Sequence, residues 1–188
     1  MKSLIFIPIV FFLNSCAPAF IGGMGVGALA IEDRRTAATI FEDQSIEFKA
    51  KRKINNKYKN NSSVSVTSFN RFVLLTGETY SEDIKNDIAF EVATINNVRN
   101  IQNEIIIKAQ RSNFDSSNDA FLTTKVKTNL VKNKNVHAHL IKVVSSSGVV
   151  YLMGMVTKEE ADQAAKTAAS TNGVSKVIKI FEYPLFLY

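Results

Sequence analysis

The chain has 188 residues, of which 46% are apolar, 21% charged and 10% aromatic, and its formal net charge is +6. That length suits one or two small domains, and the apolar fraction is too high for a mostly disordered chain. A single cysteine excludes a disulfide scaffold or a four-cysteine zinc site, and two histidines leave little material for a metalloenzyme. The excess of Lys and Arg points to an anionic partner without naming it.

The N-terminus speaks to compartment. Lys2 opens it, and the apolar run 4–13 has the length of a signal-peptide core, well short of the about 20 residues that span a bilayer. Leu13-Asn14-Ser15-Cys16 resembles a bacterial lipobox, with an aliphatic residue three before the cysteine and a small one beside it. Residues 1–15 are therefore expected to be a lipoprotein signal peptide, with Cys16 acylated on sulfur and, after cleavage, on its new amine by a palmitate-type chain. Each buried methylene contributes about 0.8 kcal/mol, so several acyl chains anchor a protein durably. Ala17, where an Asp would retain the lipoprotein in the inner membrane, favours the outer membrane, facing the periplasm. Residues 16–42 then form the lipidated cysteine and a tether: 17–31 is apolar and glycine-rich, and the polar stretch 32–43 is expected to be loop.

The rest of the chain is an internal duplication. VSVTSFNRFVLLTG (64–77) lies over IKVVSSSGVVYLMG (141–154) without a gap, SIEFKAKRKIN (45–55) over FLTTKVKTNLV (121–131), and INNVRNI (95–101) over TNGVSKV (171–177). Each copy, 43–107 and 119–183, reads helix, strand, strand, helix, strand, joined by a polar linker 108–118 and followed by an apolar tail 184–188. Val64, Val66 and the run 72–75 flank a short polar turn, which signals a hairpin, as does the turn 145–148 in the second copy. Ser81 is placed to cap the second helix of repeat 1, with Ile84, Ile88, Val92 and Ile95 on one face. Thr157 and Glu160 form a capping box in repeat 2, where Ala161, Ala164, Ala165 and Ala168 make the core face. The last strands are expected over 98–107 and 174–181, parallel to the strand before the helix. The fold class is thus α+β, each repeat a three-stranded mixed sheet with two helices on one face.

The αββαβ order, the turn glycine before the second helix and the NGV element before the last strand resemble the BON domain. SNDAFLTTKVKTNL (117–130) and YLMGMVTKEEADQAA (151–165) carry that likeness most specifically. A lipobox, a glycine-rich tether and two such repeats resemble the dual-BON outer-membrane lipoproteins. The resemblance implies binding of anionic, phosphatidylglycerol-like phospholipid by the second repeat and a role in outer-membrane integrity.

The residues point the same way. At about 100° per residue, Leu122, Val126 and Leu130 form a core stripe on the first helix of repeat 2, while Phe121, Lys125, Thr128 and Lys132 gather on another face. An aromatic beside lysines off the core is the pattern of an interfacial membrane helix. Repeat 1 has Ser45 where repeat 2 has Phe121, and Lys49 where it has Lys125. It keeps the charge (KAKRKINNKYK, 49–59), so the aromatic wedge is expected to be peculiar to repeat 2. Burial of Phe121 against repeat 1 or the tether is the alternative at that residue. The rival function is a periplasmic adaptor for envelope assembly or division proteins.

Nothing else carries chemistry. His137 and His139 lack a third ligand, so no metal is expected. There is no nucleophile elbow and no phosphate loop, hence no enzyme and no cofactor. Nucleic acid is not an expected partner outside the cytoplasm.

Overall fold

The computed structural model describes residues 33–108 and 116–184; the signal segment, Cys16, most of the tether, the middle of the linker and the end of the apolar tail lie outside the described residues. In chain order come α1 (Ala37–Tyr58), β1 (Ser62–Phe69), β2 (Phe72–Thr79), α2 (Glu82–Ala93), β3 (Asn100–Ile107), α3 (Ser116–Lys132), a single 3₁₀ turn (Ala138–Leu140), β4 (Ile141–Ser146), β5 (Val149–Met155), α4 (Lys158–Ala169) and β6 (Lys176–Glu182). Within each repeat the first two strands pair antiparallel and the third joins parallel to the second, giving orders β1-β2-β3 and β4-β5-β6.

One expectation about the chain's start is corrected. The segment 32–43 is not loop throughout, because α1 begins at Ala37: the Thr36 hydroxyl accepts the Thr39 amide and so caps the first turn, and two alanines follow with strong helix propensity. The last strands also start later than their apolar residues suggest, at Asn100 and Lys176, because the preceding turns place Asn97 and Gly173 in the left-handed region. Ser81 accepts the Ile84 amide, and Thr157 and Glu160 form the reciprocal capping box.

Alternation along the central strands builds three apolar layers. Val73 and Leu75 of β2 face the helices of repeat 1 with Ile46, Ala50, Ile54, Ile88 and Val92. Val150 and Leu152 of β5 do the same in repeat 2 with Leu122, Val126, Leu130, Ala161, Ala164 and Ala168. The intervening side chains, Leu74 on β2 and Tyr151 and Met153 on β5, point the other way and pack with Phe69 into a cluster shared by the two repeats. The helix-free faces of the sheets therefore meet, and the order of layers is helix, sheet, sheet, helix.

Polar contacts rim this interface. Lys142 Nζ donates to Glu47 at 2.9 Å and to the Ser68 carbonyl at 3.0 Å. Asn70 and Arg99 both donate to Glu182. Tyr151 lies against Glu104 of the first repeat; burial first, and then the charge and hydrogen bond of that carboxylate, push its phenol up to about 12. Ahead of α1, Arg34 straps the repeats together, donating to the Met155 carbonyl and to Glu160, each at 2.8 Å. Burial works to raise the Glu160 carboxyl, but Arg34, the Thr157 amide and His137 outweigh it and hold the group at about 2.

A pH dependence follows from the strap. The ordinary value of Glu160 is 4.5 and the folded value about 2, so its ionised form favours the folded state fully above about pH 4.5. That contribution fades as pH falls from 4.5 toward 2. The Tm of the wild type should exceed that of Glu160→Gln at neutral pH, and the gap should close across that interval. A gap that stays constant with pH would assign the effect to packing instead of charge.

Candidate functional site

Helix α3 is held down by Leu122, Val126 and Leu130, exposed by 7%, 0% and 1% respectively. Its first turn is pinned by Asp119, whose carboxylate accepts the amides of Ser147 and Gly148 in the β4–β5 turn. With that phase fixed, the opposite side of the helix must face outward, and Phe121 is 66% exposed. Burial against repeat 1 is thereby excluded for this side chain.

Lys125 Nζ sits 5.4 Å from the centroid of the Phe121 ring, within the range of a cation–π contact. The same ammonium donates to the Asn172 carbonyl at 2.6 Å. Asn172 belongs to the turn after α4, where Gly173 adopts a φ of +100° that side-chain-bearing residues rarely take. Between helix and turn lies an open groove of about 270 Å³ edged by Asn118, Phe121, Lys125, Gly148, Asn172 and Gly173. Thr128 and Lys132 are exposed further along the same face. The Thr128 hydroxyl donates to the Thr124 carbonyl at 2.9 Å, which leaves its oxygen lone pairs outward. Lys132 has no carboxylate partner among the described residues. The four residues Phe121, Lys125, Thr128 and Lys132 thus share one surface.

The BON domain model matches this chain twice, over residues 42–109 and 118–183. The chain belongs to the BON-domain family. Over 174 residues it is 35% identical to "Outer membrane lipoprotein DolP" of Haemophilus influenzae, covering 92% of this chain and 90% of that one. It is 30% identical over 153 residues to a "21 kDa hemolysin" of Actinobacillus pleuropneumoniae, covering 80% and 79% of the two chains. Among solved structures, the C-terminal domain of CdsD, a structural protein of the type III secretion system of Chlamydia trachomatis, aligns over 76% of this chain and 67% of that one, with a TM-score of 0.30 at 14% identity. So weak a global likeness carries nothing about function.

The first helices of the two BON domains are anchored in the same way. Asp43 holds the turn amides of Asn70 and Arg71 as Asp119 holds those of Ser147 and Gly148, and this sets Ser45 against Phe121 and Lys49 against Lys125. The expectation that only the second BON domain presents an aromatic off the core is nevertheless wrong. Phe41 and Phe48 of α1 are 67% and 68% exposed. They are displaced from the Ser45 position by about one helical turn, so a comparison restricted to that position misses them.

Another residue escapes the sequence reading. Val131 is 72% exposed beside Lys132 and adds an apolar group about 15 Å along the helix from Phe121. Its signal is its helical phase, which places it outside the stripe of Leu122, Val126 and Leu130. The histidines serve elsewhere: His137 Nδ1 is 2.5 Å from Glu160, and the His139 ring stands edge-on to it at 6.0 Å. Among the described residues no three His, Cys, Asp or Glu side chains converge as metal ligands, and no helix is long and apolar enough to cross a membrane.

Proposed function

We propose that this protein is a non-enzymatic lipoprotein, acylated at Cys16, residing in the outer membrane and facing the periplasm. On this reading its second BON domain binds anionic phospholipid of phosphatidylglycerol type through Phe121, Lys125, Thr128 and Lys132, and so supports membrane integrity. The lipobox, Ala17 and the relative named an outer membrane lipoprotein support the location. The observation that carries the binding is the outward-facing Phe121 ring with the Lys125 ammonium beside it.

The mechanism is partition plus charge. The phenyl ring enters the acyl boundary of the leaflet, where burying such a side chain contributes about 1.5–3 kcal/mol. Lys125 and Lys132 remain at headgroup depth, each contributing about 1 kcal/mol next to an anionic surface. Thr128 between them is short, so the helix backbone can approach the phosphates. Each term is modest. The acyl anchor makes docking intramolecular, however, so a weak face still spends most of its time on the membrane.

The test is co-sedimentation of the mature chain, residues 16–188 carrying Cys16→Ser to remove the acyl anchor, with vesicles of phosphatidylglycerol and phosphatidylethanolamine. Phe121→Ala and Lys125→Glu should each weaken binding by roughly tenfold or more, and added salt should weaken the wild type. Neutral phosphatidylcholine vesicles should bind far less. Equal binding by Phe121→Ala and wild type would remove the wedge. Absence of vesicle binding, together with crosslinks from position 121 to an envelope protein, would replace this reading with the adaptor.

A further inference from the structure

Helix α1 of the first BON domain presents a surface that the proposed lipid site does not use. Ile46, Ala50 and Ile54 fix its inward side, at 0%, 0% and 2% exposure. Phe41 and Phe48, seven residues apart, fall almost in line on the opposite side of the wheel. Around them on the outward arc lie Gln44, Ser45, Lys49, Arg52, Asn55 and Lys59, with no carboxylate. The acids of α1 are committed elsewhere: Asp43 to the β1–β2 turn, Glu42 to Asn97, and Glu47 to Ser68 and Lys142. Lys53 and Lys57 are likewise engaged, both with Glu91, whereas Lys49, Arg52 and Lys59 have no carboxylate partner among the described residues. Beside the stripe an open groove of about 360 Å³ is lined by Lys49, Arg52, Lys53, Asn56, Ile95 and Asn96. It is roomy enough for a phosphate-bearing headgroup.

We propose that this outward face of α1 is a second contact surface for anionic phospholipid, with Phe41 and Phe48 entering the acyl boundary and Lys49 and Arg52 taking the phosphate. It does not rest on the assignment of α3. Charge complementarity selects the occupant. A second copy meeting the same face would bring Lys49, Arg52 and Lys59 against their own counterparts, and like charges repel. Two aromatic wedges on a basic, acid-free arc match an anionic leaflet. The contrast is Phe90 on α2, 70% exposed but flanked in helical phase by Asp83 and Asp87, where an anionic surface would be repelled. Because the helices form the outer layers of the sandwich, α1 and α3 face opposite ways. One flat bilayer meets one face at a time, and a protein with both faces occupied links two bilayers.

The experiment uses the mature chain with Cys16→Ser and vesicles of phosphatidylglycerol and phosphatidylethanolamine. Phe121→Ala should retain part of the binding, and adding Phe41→Ser and Phe48→Ser should remove the remainder, a further loss of roughly tenfold or more. Wild type should cluster vesicles, read as turbidity, and variants lacking either face should not. Since Cys16 is the single cysteine, Phe48→Cys in the Cys16→Ser chain accepts one environment-sensitive dye, whose emission should shift to the blue on these vesicles. Unchanged melting of the Phe41→Ser, Phe48→Ser variant separates lost binding from lost folding. The proposal is overturned if that variant binds and clusters as wild type does. It is also overturned if the dye at position 48 stays in water while a photocrosslinker there captures protein. Should Phe121→Ala match wild type while Phe41→Ser, Phe48→Ser abolishes binding, the α3 site fails and the α1 site stands.

Discussion

Gly77→Ala is expected to destabilise the first BON domain by about 3–5 kcal/mol, the largest effect of any single methyl group in the described chain. Gly77 lies in the central strand, paired with Val64 on one side and Ile105 on the other. Its φ is +118°, a region in which side-chain-bearing residues are strained. A Cβ there would stand 2.0 Å from the Ser63 carbonyl oxygen. Backbone on the paired strand cannot swing aside, so β1 would have to separate from β2. Gly154, its counterpart, has no positive φ, and its Cβ would meet the Leu140 carbonyl at 2.7 Å. Gly154→Ala should therefore cost less. Calorimetry with hydrogen exchange resolved by domain checks both, with protection lost first around β1 for Gly77→Ala. Equal losses for the two variants would mean that neither the positive φ nor the closer approach at Gly77 sets the penalty.

The same pair of glycines shows why the fold was so legible from sequence. They fixed the alignment of the two copies, and once aligned, the periods of Ile84, Ile88 and Val92 and of Leu122, Val126 and Leu130 could each be read on a helix of known length. The face of α3 followed because a core stripe determines its own opposite. The sheet-to-sheet contact did not follow. Runs such as FVLL (72–75) and VVYLM (149–153) are apolar on both faces, which signals a strand covered on both sides, but nothing local says that the cover is the other repeat. The outward aromatics of α1 were hidden for a different reason. A phenylalanine is read as core by composition, and only its phase against Ile46, Ala50 and Ile54 reveals Phe41 and Phe48 as exposed. The start of α1 is not legible locally because its cap, Thr36, sits inside a charged stretch that reads as loop.

Asp43 was legible only as the first residue of a repeat, and its role depends on contacts across the fold. Its buried carboxylate, 3% exposed, accepts from Ser68 Oγ at 2.6 Å, Arg71 N at 2.7 Å, Asn70 N at 2.8 Å and Arg35 at 2.8 Å. Asn70 and Arg71 occupy the left-handed region with φ of 50° and 64°, the geometry of a tight hairpin turn, although neither is glycine. The carboxylate compensates for that strain by satisfying both amides. Asp43→Ala should accordingly cost about 3–5 kcal/mol, because it leaves the Ser68 hydroxyl and two half-buried turn amides without their acceptor and leaves Arg35 with Asp33 alone. Asp119→Ala should cost less: its two amide contacts are 3.0 and 3.3 Å long, and Gly148 takes its φ of +78° without a side chain to strain. Adding Arg71→Gly to Asp43→Ala should recover about 1 kcal/mol, read as a rise in denaturant midpoint at constant slope. If Asp43→Ala melts with the wild type, the turn holds itself. The outward phase of α1, with Phe41 and Phe48 at its surface, would then depend on Ile46, Ala50 and Ile54 alone.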